Sequence, residues 1–446
     1  MEKSIDLQNK ISKIVIKSPQ EYLEDIERID VEVKNSKAMY KGESIPYLYI
    51  PRIFNSEDVK VFKDMTGNIF KIINKTIKLF LEEKEVRDLY NFDKNLEEMI
   101  KAPNYYDVNV PMGRFDIFYY GEDYKFCELN ADGSSAMNEE RELSRILKNT
   151  KLIKNLKKYN MKQFELFDSW IDEAEEIFKE FKNNKEEELK DKKDTNIAIV
   201  DFLDRTTPGE IEIFKEHFNH RGYSCFIVDP RDIVYKDGEL YNEDKKIDII
   251  YRRLVTKDLM ERYDQVQDLV KGIIAGNTCI IGPIKSQIIH TKKFFQILHN
   301  DLFRKYLDEE ELEYIDMHIP YTEELKKNKK WDDYINDKDK YIIKPVDYYA
   351  SKGVYSGRDY SKKQWESILK KKVRQDYLIQ EYCSEAYISN IFLENGKIKY
   401  NTFNNINGIF VYNEKFKGIY TRAGMKSIIS GLHDGYSMSS LIIEEE

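Results

Sequence analysis

Cysteine is scarce in this chain: Cys127, Cys225, Cys279 and Cys383 are scattered through 446 residues without a CxxC pair. That spacing argues against a thiolate metal site and against a disulfide framework. Each cysteine sits in an apolar, strand-like context where a small buried hydrophobe is expected, and strand alternation points Cys127 away from the face carrying Glu128. Long apolar runs are also missing, since none approaches the roughly 18 residues of a membrane span. The opening MEKSIDLQNKISKIVIK has no apolar core of signal-peptide length, so the chain reads as cytoplasmic. GxxxxGK[ST] does not occur, nor do the protein-kinase signatures, so a nucleotide site would have to be built from other parts. With 81 acidic against 72 basic residues and a formal net charge of -9, a broad basic surface for nucleic acid is not expected.

Hydrophobic residues make up 41% of the chain, ample for packed cores over two to four domains. The most constraining stretch is Gly113 to Met137, GRFDIFYYGEDYKFCELNADGSSAM. It reads as two short strands around a Gly-Glu-Asp turn, followed by a polar loop with two serines. With a three-residue loop at Gly121, Glu122 and Asp123, Tyr120 faces Tyr124, Asp116 faces Glu128 and Arg114 faces Asn130, all four of the last on one face. Two carboxylates directly across a strand pair repel unless positive charge lies between them. Asp116, Glu128 and Asn130 offer hard oxygen donors suited to magnesium, and Arg114 could hold a phosphoryl oxygen or a substrate carboxylate in its planar fork. The same pattern would serve a solvated hairpin on which Arg114 pairs with Asp116 or Glu128.

Residues 1 to about 100 carry helical periodicity without a chemical motif. From Asn196 the pattern becomes strand, helix, strand, and Arg252 and Arg253 at the end of a later strand, IDIIYRRLV, are placed to contact an anion. In KYIIKPVDYYASKGVYSGRDY a β-branched strand ends at Lys344-Pro345, and a loop follows with Ser351, Lys352, Gly353, Ser356 and Gly357 whose N–H groups could close over phosphates. Lys344 would meet those phosphates as a point charge. The Gln380-Glu381-Tyr382-Cys383 segment ends the next apolar strand, where main-chain groups could read an adenine. Arg422 precedes a small-residue loop, good chemistry for a transferring phosphoryl group.

Together these pieces resemble the ATP-grasp superfamily and, within it, the circularly permuted carboxylate-amine ligases like glutathionylspermidine synthetase. The matching features are Arg114-x-Asp116, Glu128-x-Asn130-x-Asp132 with serines following, the Lys344-Pro345 strand and its loop, the Gln380-Glu381 hinge and Gly-Ile-x-x-Arg ending at Arg422. Order matters most, because the acidic and asparagine residues precede the lysine and hinge by some 200 residues, as the permuted group requires. The loop DYYASKG departs from the glycine-richer form expected of that synthetase. The resemblance implies magnesium on Asp116, Glu128 and Asn130 bridging ATP phosphates, Lys344 on the phosphates, and a second cation from Lys292 or Lys293, with Lys293 as the choice. It implies Glu381 and its neighbours on adenine and ribose, Arg114 and Arg422 on the phosphoryl group and then the tetrahedral oxyanion, and Ser134 and Ser135 as hydrogen-bond donors.

The fold implied is α+β, a circularly permuted ATP-grasp with a preceding α/β subdomain and an N-terminal helical region. Its divisions would be 1–104 helical, 105–195 the permuted segment with the metal-binding hairpin and a charged helix, 196–285 the α/β subdomain, and 286–446 the nucleotide-binding part. The activity implied is ATP-dependent ligation of a small-molecule carboxylate to an amine (amino acid, peptide or polyamine) through an acyl phosphate, releasing ADP and phosphate. A small-molecule kinase on the same scaffold and a non-catalytic nucleotide-binding protein are the alternatives.

Overall fold

A computed structural model describes residues 3–40, 42–206, 208–346, 351–383, 386–429 and 435–444. The first part of the chain is largely helical. Helices α1 (Ser4–Lys17), α2 (Leu23–Lys34) and α3 (Ser56–Glu82) surround a short strand, β1 (Arg52–Phe54). The longest, α3, starts at a capping box: the Asn55 side chain accepts from the Asp58 N–H while the Asp58 carboxylate accepts from the Asn55 N–H.

Strands β2 (Met112–Tyr119) and β3 (Tyr124–Asn130) follow as the expected antiparallel hairpin, and α4 (Met137–Leu147) leaves the loop after it. The register places Asp116 opposite Glu128 and Arg114 opposite Asn130. The route to that register differs from the sequence expectation. Tyr119, not Tyr120, pairs with Tyr124, and the missing residue is restored by a bulge that leaves Cys127 unpaired. A longer turn and one bulged residue cancel, so the carboxylates still meet. The bulge also overrides alternation, and Cys127 turns toward Lys344 on the side of Glu128, whereas the opposite face was expected.

Further along, β4 (Asn160–Gln163) and α5 (Asp168–Asn184) lead to a parallel sheet of β5 (Asn196–Val200), β6 (Ser224–Val228), β7 (Ile249–Arg252) and β8 (Cys279–Ile281), ordered β8-β7-β5-β6. Between β5 and β6 runs α6 (Pro208–His220). An antiparallel sheet follows with order β9-β12-β10-β11, from β9 (Thr322–Glu324), β10 (Tyr341–Pro345), β11 (Tyr355–Ser356) and β12 (Tyr377–Glu381). The last strands are β13 (Tyr387–Glu394), β14 (Lys397–Tyr412), β15 (Lys415–Gly424), β16 (Gly435–Met438) and β17 (Ser440–Glu444).

The early hairpin completes the late sheet. Strand β2 pairs with the second half of β14, giving the order β16-β15-β14-β2-β3, while β13 pairs along β14 from Lys397 to Asn404. Near the end of the chain β17 sits between β1, parallel, and β4, antiparallel. One buried apolar cluster runs from Phe54 through Phe115, Trp170, Ile250 and Phe294 to Tyr412, whereas the sheet β9 to β12 packs on a separate core around Ile343, Trp365 and Leu369. Two cores that pack independently leave a cleft between them, and Lys344 of the smaller one reaches across to the hairpin of the larger. No helix among the described residues is long and apolar enough to cross a membrane.

Candidate functional site

A cleft that opens to solvent lies between the two cores, bounded by Asp116 and Glu128 of the hairpin, Lys292, Lys344, Tyr382 and Arg422. Asp116 is fully buried and carries much of the wiring. Arg114 donates to it from Nε at 3.0 Å, Asn130 Nδ2 lies 3.3 Å from its Oδ2, and Arg422 forms an ion pair with it. Asn130 Nδ2 is also 3.4 Å from Glu128 Oε1, so the amide sits between the two carboxylates. Lys292 Nζ stands 3.5 Å from Glu128 Oε2. Burial alone would raise the Glu128 pKa, but Lys292, Lys344, Arg422 and Arg114 outweigh it and hold the carboxyl well below its ordinary range. Lys292, Lys344 and Arg422 line the cavity together with Asp116, Glu128 and Glu381, so both signs of charge face the same space and the cations are placed to meet a polyphosphate.

The donor set also suits magnesium. Two carboxylates and one amide oxygen are hard donors gathered on one hairpin face, and the Asn130 side chain presents oxygen in place of nitrogen by a half-turn of its amide. The positive charge that the facing carboxylates demand is supplied by side chains.

Lys344 Nζ donates to the Cys127 carbonyl at 3.2 Å and lies 3.8 Å from its sulfur. Lys293 does not reach the cavity: its Nζ donates to the Tyr90 carbonyl at 2.9 Å, and burial lowers its pKa. Adjacent residues at a helix start point about 100° apart, and it is Lys292 that faces Glu128. Ser351 lines the cavity. Gly353 has φ +73°, and a β-carbon there would fall 2.8 Å from the Tyr377 hydroxyl. The preceding loop residues 347–350 lie outside the described residues.

At the hinge, the Gln380 side chain is committed to Thr322 Oγ1 at 2.9 Å, and the N–H groups of Glu381 and Tyr382 donate to the carbonyls of Tyr321 and Lys340. Neighbouring backbone thus already holds those two N–H groups. Tyr382 donates to the Ser427 carbonyl and carries Arg358 over its ring, and both Tyr382 and Cys383 line the cavity.

Three further expectations change. Ser134 spends its hydroxyl proton on the Asn130 carbonyl at 2.6 Å and so shapes the loop, in which the Ser135 carbonyl accepts from Arg114 Nη1 at 2.8 Å. Arg252 is buried against Asp132 at 2.5 Å and also donates to backbone carbonyls. Arg253 is buried against Glu210 at 2.6 Å. Both arginines join the hairpin loop and α6 to the parallel sheet and do not face an open anion site. Sequence reasoning passed over Gly408, which lies opposite Asp116, and Glu139 on the first turn of α4. The first signal was a lone glycine inside a long β-branched strand; the second was indistinguishable from the other charges of NEERELSR.

A family model described as circularly permuted ATP-grasp type 2 matches residues 169–409. That range holds Lys292, Lys344 and the hinge, while the hairpin and Arg422 lie outside it. Among solved structures the chain is similar to a candidate gamma-glutamylcysteine synthetase from Methylobacillus flagellatus KT, with TM-score 0.38, 10% identity, and 84% of this chain and 87% of that one covered. It is also similar to D-alanyl-alanine synthetase A from Vibrio cholerae O1 biovar eltor, with TM-score 0.28, 10% identity and coverage of 55% and 87%. A third similar structure is the ATP-grasp ligase PsnB complexed with a minimal precursor, with TM-score 0.31, 12% identity and coverage of 55% and 90%. No curated protein matches it in sequence.

Proposed function

The chain belongs to the circularly permuted ATP-grasp type 2 family, and from that premise we propose that it is an ATP-dependent carboxylate-amine ligase, forming an amide through an acyl phosphate with release of ADP and phosphate. The observation that carries the reading is the pair of carboxylates, Asp116 and Glu128, facing across the hairpin at the edge of the inter-core cavity and ringed by Arg114, Arg422, Lys292 and Lys344. Acid and amine are drawn from amino acids, short peptides and polyamines, the substrates implied by likeness to glutathionylspermidine synthetase. The divisions at residues 104, 195 and 285 go with this reading.

In this mechanism Lys344 and Lys292 hold ATP phosphates from the two sides of the cavity. Asp116, Glu128 and Asn130 would hold magnesium, which when bound neutralises phosphate charge and acts as a Lewis acid. Arg114 and Arg422 are already oriented by Asp116, so both guanidinium groups are fixed before the phosphoryl group moves. Catalysis is then mainly alignment and charge neutralisation, as expected for phosphoryl transfer. The test is ADP release with magnesium across paired acids and amines, comparing wild type with Glu128→Gln. Loss of turnover in a folded variant supports the assignment. Normal turnover removes it, and product formed on a hydroxyl acceptor would favour a kinase.

A further inference from the structure

Four N–H donors already meet the buried Asp116, as many as the roughly four lone-pair sites that a carboxylate offers. Its Oδ1 accepts from Arg114 Nε at 3.0 Å. Its Oδ2 accepts from Arg114 Nη2 at 3.4 Å, from Asn130 Nδ2 at 3.3 Å and from Arg422 Nη2. Glu128, across the hairpin, is less enclosed: its side chain is 30% exposed, and Lys292 Nζ stands 3.5 Å from Oε2. Of the two carboxylates at the candidate metal site, Asp116 is thus the one whose oxygens are taken.

The two guanidinium groups on Asp116 are not equally fixed. Arg114 is tied twice to Asp116 and, through Nη1, to the Ser135 carbonyl at 2.8 Å. Arg422 comes from another strand, β15, and lines the cleft together with Asp116 and Glu128. It spends Nη2 on Asp116, while its buried Nε has no hydrogen-bond partner among the described residues. A buried donor without a partner on a cleft residue marks the arginine with bonding left to give.

Charge makes two arrangements exclusive. A divalent cation on Asp116 would stand beside the Arg422 guanidinium, and like charges so close repel strongly. A phosphate group removes the conflict, because it offers the guanidinium a charged acceptor of its own.

We propose that Arg422 guards the metal site: it occupies Asp116 until nucleotide phosphates draw it away, so that the metal is bound together with the nucleotide and not before it. This rests on the ligase reading above for the identity of the anion. Arg422 is held by one anion or the other throughout, first the carboxylate and then the phosphate, while Arg114 stays on Asp116. The half-turn of the Asn130 amide belongs to the same exchange, since its Nδ2 bridges the two carboxylates at 3.3 and 3.4 Å. Removing the Arg422 charge therefore helps the bare metal and harms the metal–nucleotide complex.

Manganese(II), whose free ion is counted by electron paramagnetic resonance, tests this without turnover. Arg422→Gln keeps an N–H for Asp116 but removes the charge, and without nucleotide it should bind manganese at least about tenfold more tightly than wild type, the scale of a removed like charge. The same variant should bind the manganese complex of adenylyl imidodiphosphate at least about tenfold more weakly, through the lost phosphate contact. Arg422→Lys, which restores a charge, should return free-manganese binding toward wild type. Adding Glu128→Gln to Arg422→Gln should abolish the gain, which assigns it to this site. Circular dichroism checks the fold, and Arg422→Met serves the same comparison should Arg422→Gln unfold. Equal manganese affinity in wild type and Arg422→Gln, a gain that survives Glu128→Gln, or a variant that gains or loses both forms of the metal together overturns the proposal. Failure of the ligase reading looks different, since absence of ADP with every acid and amine would leave these titrations as expected.

Discussion

Gly408 of β14 lies directly opposite Asp116 of β2, and a β-carbon at that position would stand 2.9 Å from Asp116 Oδ1 and 2.7 Å from Arg114 Cδ. The site is built against bare backbone because the two side chains that orient each other occupy the space a side chain would need. Gly408→Ala should displace Arg114 from Asp116 and lower ATP turnover by roughly 100-fold, the scale of losing one transition-state donor. Strand geometry tolerates alanine, so far-ultraviolet circular dichroism should be retained. Turnover within a few-fold of wild type would show that Arg114 and Asp116 need not be held this closely.

The two adjacent lysines make a sharper pair. Lys292 stands beside Glu128 and the cavity, whereas Lys293 is tied to Tyr90. Lys292→Met should raise KM for ATP by at least about tenfold, the loss of one desolvated charge contact. Lys293→Met should leave KM for ATP near wild type and lower Tm through the lost bond to the Tyr90 carbonyl. The opposite pattern in nucleotide titrations would return Lys293 to the site.

Asp132 belongs to the acidic motif in the sequence, yet its structural partner is Arg252, with both side chains buried. Removing one charge of such a pair strands the other, at a cost of about 3–5 kcal/mol. Asp132→Asn should therefore appear in urea denaturation as a loss of that size, with the folded fraction still binding ATP. A fully stable but inactive variant would place Asp132 in the chemistry.

These outcomes bear on what the sequence can carry. Alternation and turn residues suffice to put Asp116 across from Glu128, but the register depends on a bulge at Cys127 that compensates a longer turn, and nothing local marks it. The arginines at 252 and 253 look free at a strand end because their partners, Asp132 and Glu210, come from distant segments. Gln380 looks available for the same reason, with Thr322 as its distant partner, whereas Ser134 is taken by a local bond to the Asn130 carbonyl. The order of the motifs survives translation into structure best, because the early hairpin must complete the late sheet for the two halves of the site to meet.

Gly353 tests the loop beyond Lys344. Its φ of +73° opposes a side chain, and so does the Tyr377 hydroxyl, 2.8 Å from where a β-carbon would stand. Gly353→Ala should cost about 1–2 kcal/mol and weaken ATP binding through the displaced loop, read by isothermal titration. Unaltered affinity would separate this loop from the phosphates.

The raised pKa of Glu139 gives stability a direction with pH. Burial and the Glu210 charge lift it to about 8 in the folded protein, from an ordinary value of 4.5, so between those values the folded chain keeps a proton that the unfolded chain has released. Its contribution is fully present below the unfolded pKa and is lost as pH rises through about 8, with a slope of at most about 1.4 kcal/mol per pH unit. Glu140, also raised by burial, pulls in the same direction but is common to wild type and Glu139→Gln. Urea denaturation from pH 5 to 8.5 should therefore show wild-type stability falling more steeply than that of the variant. Equal slopes would mean that Glu139 has an ordinary carboxyl pKa in the folded protein, which its burial at the start of α4 and the neighbouring Glu210 charge oppose.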